Sequence, residues 1–240
     1  MNKKKIILAV IVLAIVVAMV GGMLAYFTNT TDTLTNTFTV GDNVSITLTE
    51  PNWHRENGQG LSFGNTVAKD PTVTNTGSNA AYVFLKVDVP TYYKYTGGAA
   101  TKTEMFTYTT QGSGWYEIPG LRTENTNSVT HIYAYGTSSA MTSLATGSSA
   151  TLFNNVTFLD NFAYPTNYKV VSTITPPASE TNDDPALIPS SSDIVIKAYA
   201  IQTNGLKVGS TTTEATTPTD VYRCLFGELG TDAGLINPGA

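Results

Sequence analysis

The stretch that most constrains this chain is AAYVFLKVDV, Ala80 to Val89, where Ala81, Val83, Leu85, Val87 and Val89 alternate with Tyr82, Phe84, Lys86 and Asp88. Five apolar residues at a period of two share one face of a β-strand and cannot share one face of a helix. The strand is predicted to stop at Pro90, because proline has no N–H for a ladder. The same period marks Val44, Ile46 and Leu48. It also marks Leu34, Phe38 and Val40 within Thr33–Val40, with Asn36 as a polar interruption.

Further strands are predicted at Val67–Thr76, Phe106–Thr109, Trp115–Ile118, Val129–Tyr135, Tyr168–Ile174 and Val221–Phe226. Ala150–Phe158 reads as one more, with a bulge. Asp193–Thr203 is apolar on both faces, Ile194, Ile196, Ala198 and Ala200 against Val195, Tyr199 and Ile201, the pattern of a strand in the middle of a packed sheet. Helix is expected only in short pieces such as Ser138–Leu144. About ten short strands separated by turn residues predict an all-β sandwich or barrel. Loop insertions are expected near 97–114 and 176–192.

Composition agrees. Thr alone supplies 40 of 240 residues, and charged residues only 13%, about half of the roughly 25% common in soluble chains. That excludes a coiled coil or a charge-rich tail. A net charge of −5 removes the basic face that a nucleic-acid binder needs.

Lys3, Lys4 and Lys5 precede an unbroken apolar run from Ile6 to Val20, followed by Gly21-Gly22-Met23-Leu24-Ala25. This is the order of an export signal, and it predicts a signal helix over residues 1–25, cut between Ala25 and Tyr26. The alternative reading keeps the segment as a membrane anchor, extended to Phe27. In the cleaved reading the membrane is touched only through this signal segment, before cleavage. Three of the 13 basic residues lie in the leader, so the mature chain carries 10 against 18 acidic residues, a net −8. Residues 26–240 read as one domain. The single cysteine, Cys224, allows no intrachain disulfide, so packing and ladders must hold an exported fold.

Motifs for chemistry are scarce. The two histidines, His54 and His131, are 77 residues apart, and no HExxH exists. Cys224 has no second thiol at metal spacing. No GxSxG, SxxK, GxxxxGK[ST] or GxGxxG is present. Asp183 and Asp184, with Glu180, lack the ordered spacing of a calcium loop and read as a solvated acidic loop. Neither a cofactor nor a catalytic or metal-ligating residue is expected. Tyr92, Tyr93 and Tyr95 with Trp115 and Tyr116 could form a glycan platform, or serve as strand residues with one apolar and one polar end. Trp53 could close a barrel end.

Three stretches carry a resemblance. GGMLAYFTN, Gly21 to Asn29, places Met23 at −3 and resembles the signals cut by SipW-type signal peptidases. VTNTGSNAAYVFLKV, Val73 to Val87, and IVIKAYAIQTNGL, Ile194 to Leu206, are similar to an early and a late strand segment of the TasA/camelysin family of secreted proteins. The Thr-rich region from Tyr93 to Ser149 and the Cys224 tail depart from that pattern.

The resemblance implies a jelly-roll β-sandwich at the surface, or in the biofilm matrix, of a Gram-positive bacterium. Such a protein self-assembles into fibres in which the N-terminal segment of one subunit adds a strand to the next. Tyr26–Val40, with Leu34, Phe38 and Val40 as its apolar face, is the expected assembly strand. Expected partners are other copies of the chain, other matrix proteins, and the signal peptidase during export. The C-terminus, GELGTDAGLINPGA, holds no LPxTG-like signal, so sortase attachment is not expected. The family also carries a metallo-endopeptidase label that the motifs here do not support. A peptidase using His54, Glu56 or His131, and a monomeric adhesin using the tyrosines, are the alternatives.

Overall fold

A computed structural model describes residues 44–96, 99–111, 114–159, 168–172, 186–190 and 192–227, all within one compact unit, Asp42–Ala240. Among the described residues the fold is all-β with one short α-helix. Strands β1 (Ile46–Thr49), β2 (Thr66–Ala68) and β3 (Thr72–Asn75) lead into a 16-residue strand, β4 (Ala81–Thr96). Next come β5 (Ala99–Glu104), β6 (Phe106–Thr107), β7 (Trp115–Glu117), β8 (Thr123–Glu124), β9 (Ser128–Tyr135), β10 (Ser149–Thr151) and β11 (Asn155–Phe158). β12 (Tyr168–Val171), β13 (Ala186–Pro189), β14 (Val195–Gln202) and helix α1 (Pro218–Phe226) complete the order. The cleavage residues Ala25 and Tyr26, the face Leu34, Phe38 and Val40, and the acidic Glu180, Asp183 and Asp184 lie outside the described residues.

β4 organises the larger sheet. β14 pairs with it antiparallel along Ala81–Asp88, and β9 pairs along its other side from Phe84 to Pro90. Pro90 does not end the strand as expected. It sits where β4 passes from β9 to β5: Pro90 lies opposite Ser128, and Thr91 opens the register with Glu104. A proline with no N–H fits a point where the ladder changes partner, and its carbonyl still accepts from Met105 N at 2.8 Å. The β13 strand meets β4 at Leu187–Tyr93 and runs parallel to β12. β5 lies inside the stretch near 97–114, and β13 inside the stretch near 176–192, both expected as loop insertions, while β6 falls within the strand expected at Phe106–Thr109.

The smaller layer is a broken antiparallel ribbon. β3 lies between β1 and β10, while β11 lies between β2 and β6. Lys69 N to Asn154 O and Leu152 N to Pro71 O, each 3.0 Å, carry the pairing across the breaks. Strands expected whole at Val67–Thr76 and Ala150–Phe158 are therefore each divided in two. Across β1, β3 and β10, Thr47, Thr74 and Ser149 form one row, and Thr49, Thr72 and Thr151 the next. Hydroxyls meet across strands at 2.7 Å (Thr74–Ser149) and 2.8 Å (Thr72–Thr151). Threonine thus fills the outward face without charge.

Inward, Val73, Ala150 and Val156 join Val83, Leu85, Val87 and Val89 of β4 in a first core. Trp115 Nε1 ties the layers by donating to Thr151 O at 3.0 Å. Buried Asn75 ends β3 with its amide satisfied: Nδ2 donates to Asn79 O and Leu144 O, and Oδ1 accepts from Gly77 N.

A second core lies on the opposite face of the large sheet. Phe84, Ile132 and Ala134 meet Leu206, Ala215 and Val221 there. Val221–Phe226, expected as a strand, is part of α1. Thr217 caps the helix by accepting from Asp220 N, Pro218 occupies the first turn, and Gly227 closes it at φ 81°. Ser138–Leu144 is not helical but holds two isolated bridges, Gly136–Met141 and Ala81–Leu144.

The two cores explain β14. Among the described residues this strand pairs only with β4, so it is an edge and not the expected middle of the sheet. Its apolar residues face both ways because both faces are covered. Ile196, Ala198 and Ala200 pack on the first core, and Tyr199 and Ile201 on the second.

Candidate functional site

Two places stand out: the polar group around His131 and the outer edge of β14. On β9, His131, Tyr133 and Tyr135 fall on one face by alternation. Register puts His131 opposite Val87 and Tyr133 opposite both Leu85 and Glu117. His131 is 7% exposed. Its Nδ1 lies 2.7 Å from Glu117 Oε1, and its Nε2 lies 3.1 Å from Glu104 Oε2. Glu104 also receives Arg122 Nη2 at 3.2 Å, while Arg122 Nη1 reaches Glu124 at 3.1 Å. The His131 ring stacks on Tyr133 at an interplanar angle of 18°, and the Tyr133 and Tyr108 hydroxyls meet at 3.1 Å.

Burial, the largest single influence on each group, disfavours charge on His131 and on Glu104. The ion pairing outweighs it in both. The two glutamates raise the imidazole above its ordinary value, and His131 with Arg122 lowers the Glu104 carboxyl. Burial also pushes the Tyr108 and Tyr133 hydroxyls well up, so both stay neutral.

With a carboxylate on each nitrogen, His131 has no free nitrogen for a metal. His54 stands elsewhere, as the exposed residue before the 3-10 turn Arg55–Gly58, which contains exposed Glu56. Among the described residues no group of three or more His, Cys, Asp or Glu is placed to hold a metal ion. The peptidase candidates are therefore not brought together.

The aromatic candidates are divided as well. Tyr92 and Trp115 are buried in the first core, Tyr93 and Tyr116 are half-buried, and the Tyr95 side chain lies outside the described atoms. They make no shared exposed platform. Trp53 is half-buried, with Lys69 Nζ 4.7 Å from its ring centroid; Lys69 also pairs with Glu50 at 2.8 Å. Cys224 donates its thiol to Lys207 O at 3.3 Å, beside an open cleft of about 610 Å³ lined also by Asp220 and Arg223.

The Glu104–His131–Glu117 group escaped sequence reading because its members are 27 and 14 residues apart. The one available signal was alternation, which places His131 on the same face as Tyr133.

The β14 edge presents eight residues, VIKAYAIQ, with Lys197 as their one charge and Val195 45% exposed. Its outward backbone groups have no strand partner among the described residues. No described helix is long and apolar enough to cross a membrane.

The fold and these two places define an all-β protein with a strand, β14, that pairs only with β4 among the described residues, and a buried ion-paired histidine. Comparison with known proteins gives no match: no family model, no curated protein and no solved structure matches this chain.

Proposed function

We propose that the chain is a secreted structural protein of the bacterial cell surface or biofilm matrix, a jelly-roll sandwich that self-assembles into fibres by strand donation. The observation that carries this reading is the edge of β14, a strand that pairs only with β4 among the described residues. A row of unpaired N–H and C=O groups is a template for another strand. The β14 strand is eight residues long, holds no proline and carries a single charge. Tyr26–Val40 is the proposed donor. It follows the proposed cleavage point directly and alternates Thr with Leu34, Phe38 and Val40. The signal segment and the resemblance to the TasA/camelysin family support the same reading, with other copies of the chain as principal partner.

Electron microscopy of the mature protein beginning at Tyr26 tests it. Fibres are expected, and deletion of Tyr26–Val40 should leave folded monomers that form none. Fibres that grow at the wild-type rate without the segment would refute donation. Casein hydrolysis with and without chelator separates this reading from a metallopeptidase.

A further inference from the structure

A sandwich core normally excludes charge, yet β9 points His131 into the end of one. We infer that His131 is a pH-operated clasp: as the imidazolium it fastens both β5 and β7 to β9 through Glu104 and Glu117, and on losing its proton it lets one of them go.

The argument begins with donor count. Both ring nitrogens sit within hydrogen-bond distance of a carboxylate oxygen, at 2.7 and 3.1 Å. Carboxylates only accept, and a neutral imidazole has one N–H to give. Either neutral tautomer therefore turns a lone pair toward one glutamate, replacing a charge-assisted bond by a repulsive contact. Only the cation satisfies both sides.

The surroundings fix what else acts on the ring. From β4, Val87 opposite is neutral, and its neighbours are Lys86 and Asp88; Asp88 accepts from the Thr130 hydroxyl. From β5 come Glu104 and Lys102, the latter donating to Asn125 O. From β7 comes Glu117. Arg122, joined to Glu124 of β8, shares Glu104. Tyr133 stacks on the ring, and Tyr108 bonds to Tyr133. Two carboxylates touch the ring and only one, Glu104, has a second cation. Glu117 is thus the partner that depends on His131 alone among the described ion pairs.

What the clasp holds is short. β7 has three residues and pairs on one side only among the described residues, with β9. Glu104 is the last residue of β5. The raised value of the imidazole sets the window. A folded value above the unfolded one means that, while both glutamates stay ionised, the clasp is fully closed below about pH 6.5 and opens as pH rises through the folded value.

The test follows the two imidazoles of the mature protein by NMR through a pH titration, with His54→Ala assigning the His131 signal. We expect His131 to titrate above about 6.5. Hydrogen-exchange protection of the β7 amides, and of β5 near Glu104, should fall several-fold across that same midpoint, while β3 and β10 keep theirs. Glu117→Gln, at a side chain 37% exposed, should lower the midpoint. His131→Phe, which keeps a ring on Tyr133, should abolish the step. Should the Phe variant not fold, Glu117→Gln decides alone. A midpoint at or below the ordinary imidazole value, unchanged protection across it, or an identical midpoint in Glu117→Gln would overturn the clasp.

Discussion

Phe84 and Leu85 are consecutive on β4, both are 0% exposed, and they belong to different cores. Leu85 faces the smaller layer, while Phe84 meets the edge of Tyr222 of α1 with centroids 5.6 Å apart. One strand therefore fastens both the β-layer and the helix. Leu85→Ala is expected to destabilise by about 2–5 kcal/mol and Phe84→Ala by about 3–5 kcal/mol. Denaturant unfolding checks both. A loss below about 0.5 kcal/mol at either site would mean that its face is not packed as described.

Thr91 is also fully buried, and its Oγ1 has no hydrogen-bond partner among the described residues. An orphaned hydroxyl costs about 1–3 kcal/mol of desolvation. Thr91→Val removes that cost at nearly constant shape, so the variant should be as stable as the parent or more stable by about 1 kcal/mol. A clear drop in midpoint would show that the hydroxyl has a partner in solution.

Glu104 predicts the acid limb of stability. Burial raises its carboxyl, but His131 and Arg122 outweigh burial and hold it below 4.5. A depressed folded value means stability that is present above the unfolded value and lost as pH falls through the folded one. Glu104→Gln should flatten the decline in thermal midpoint below about pH 4.5. An acid limb of unchanged slope would contradict the pairing.

Thr217 caps α1 from outside the helix, and its hydroxyl also meets Asp220 Oδ2 at 2.7 Å. Thr217→Ala should cost about 1 kcal/mol. Because α1 covers Phe84, the loss should appear in global unfolding and not only as a frayed terminus. Circular dichroism and denaturant melts, read together, distinguish the two.

Strand donation predicts competition. A synthetic peptide of Tyr26–Val40 added to the mature protein should occupy the β14 edge and slow fibre growth in proportion to its concentration. A peptide with Leu34, Phe38 and Val40 changed to Ser should not. Equal effects of the two peptides would remove the apolar face from the account.

Legibility in the sequence followed the range of the interaction. The alternation from Ala81 to Val89 is local, and its buried face is the one expected. Pro90 defies the expectation because the rule against proline in ladders assumes one continuous partner, and β4 changes from β9 to β5 there. The two-sided apolar pattern of β14 predicts a strand in the middle of a sheet, whereas the cover comes from above and below. α1 was readable from Thr217, Pro218 and Gly227, but its nine residues lie behind a Thr-rich loop and its apolar side chains also fit a strand. The contacts of His131 depend on register between distant strands, which no local pattern encodes.

The threonine rows have a consequence for how the chain finds its pairing. Alternation rejects a slip of one residue, since that would turn Val73 outward and Thr72 and Thr74 inward. A slip of two keeps every threonine outside and every aliphatic inside, so a repetitive sequence is nearly blind to it. Asn75 removes the ambiguity. Shifted by two against β10, its buried amide would leave the Leu144 carbonyl that it now satisfies across 69 residues of chain, a mismatch of about 1–3 kcal/mol for each group left unpaired. One asparagine thus acts as the index mark of an otherwise periodic ribbon, and Asn75→Val should yield a protein with more than one alignment of β3 against β10.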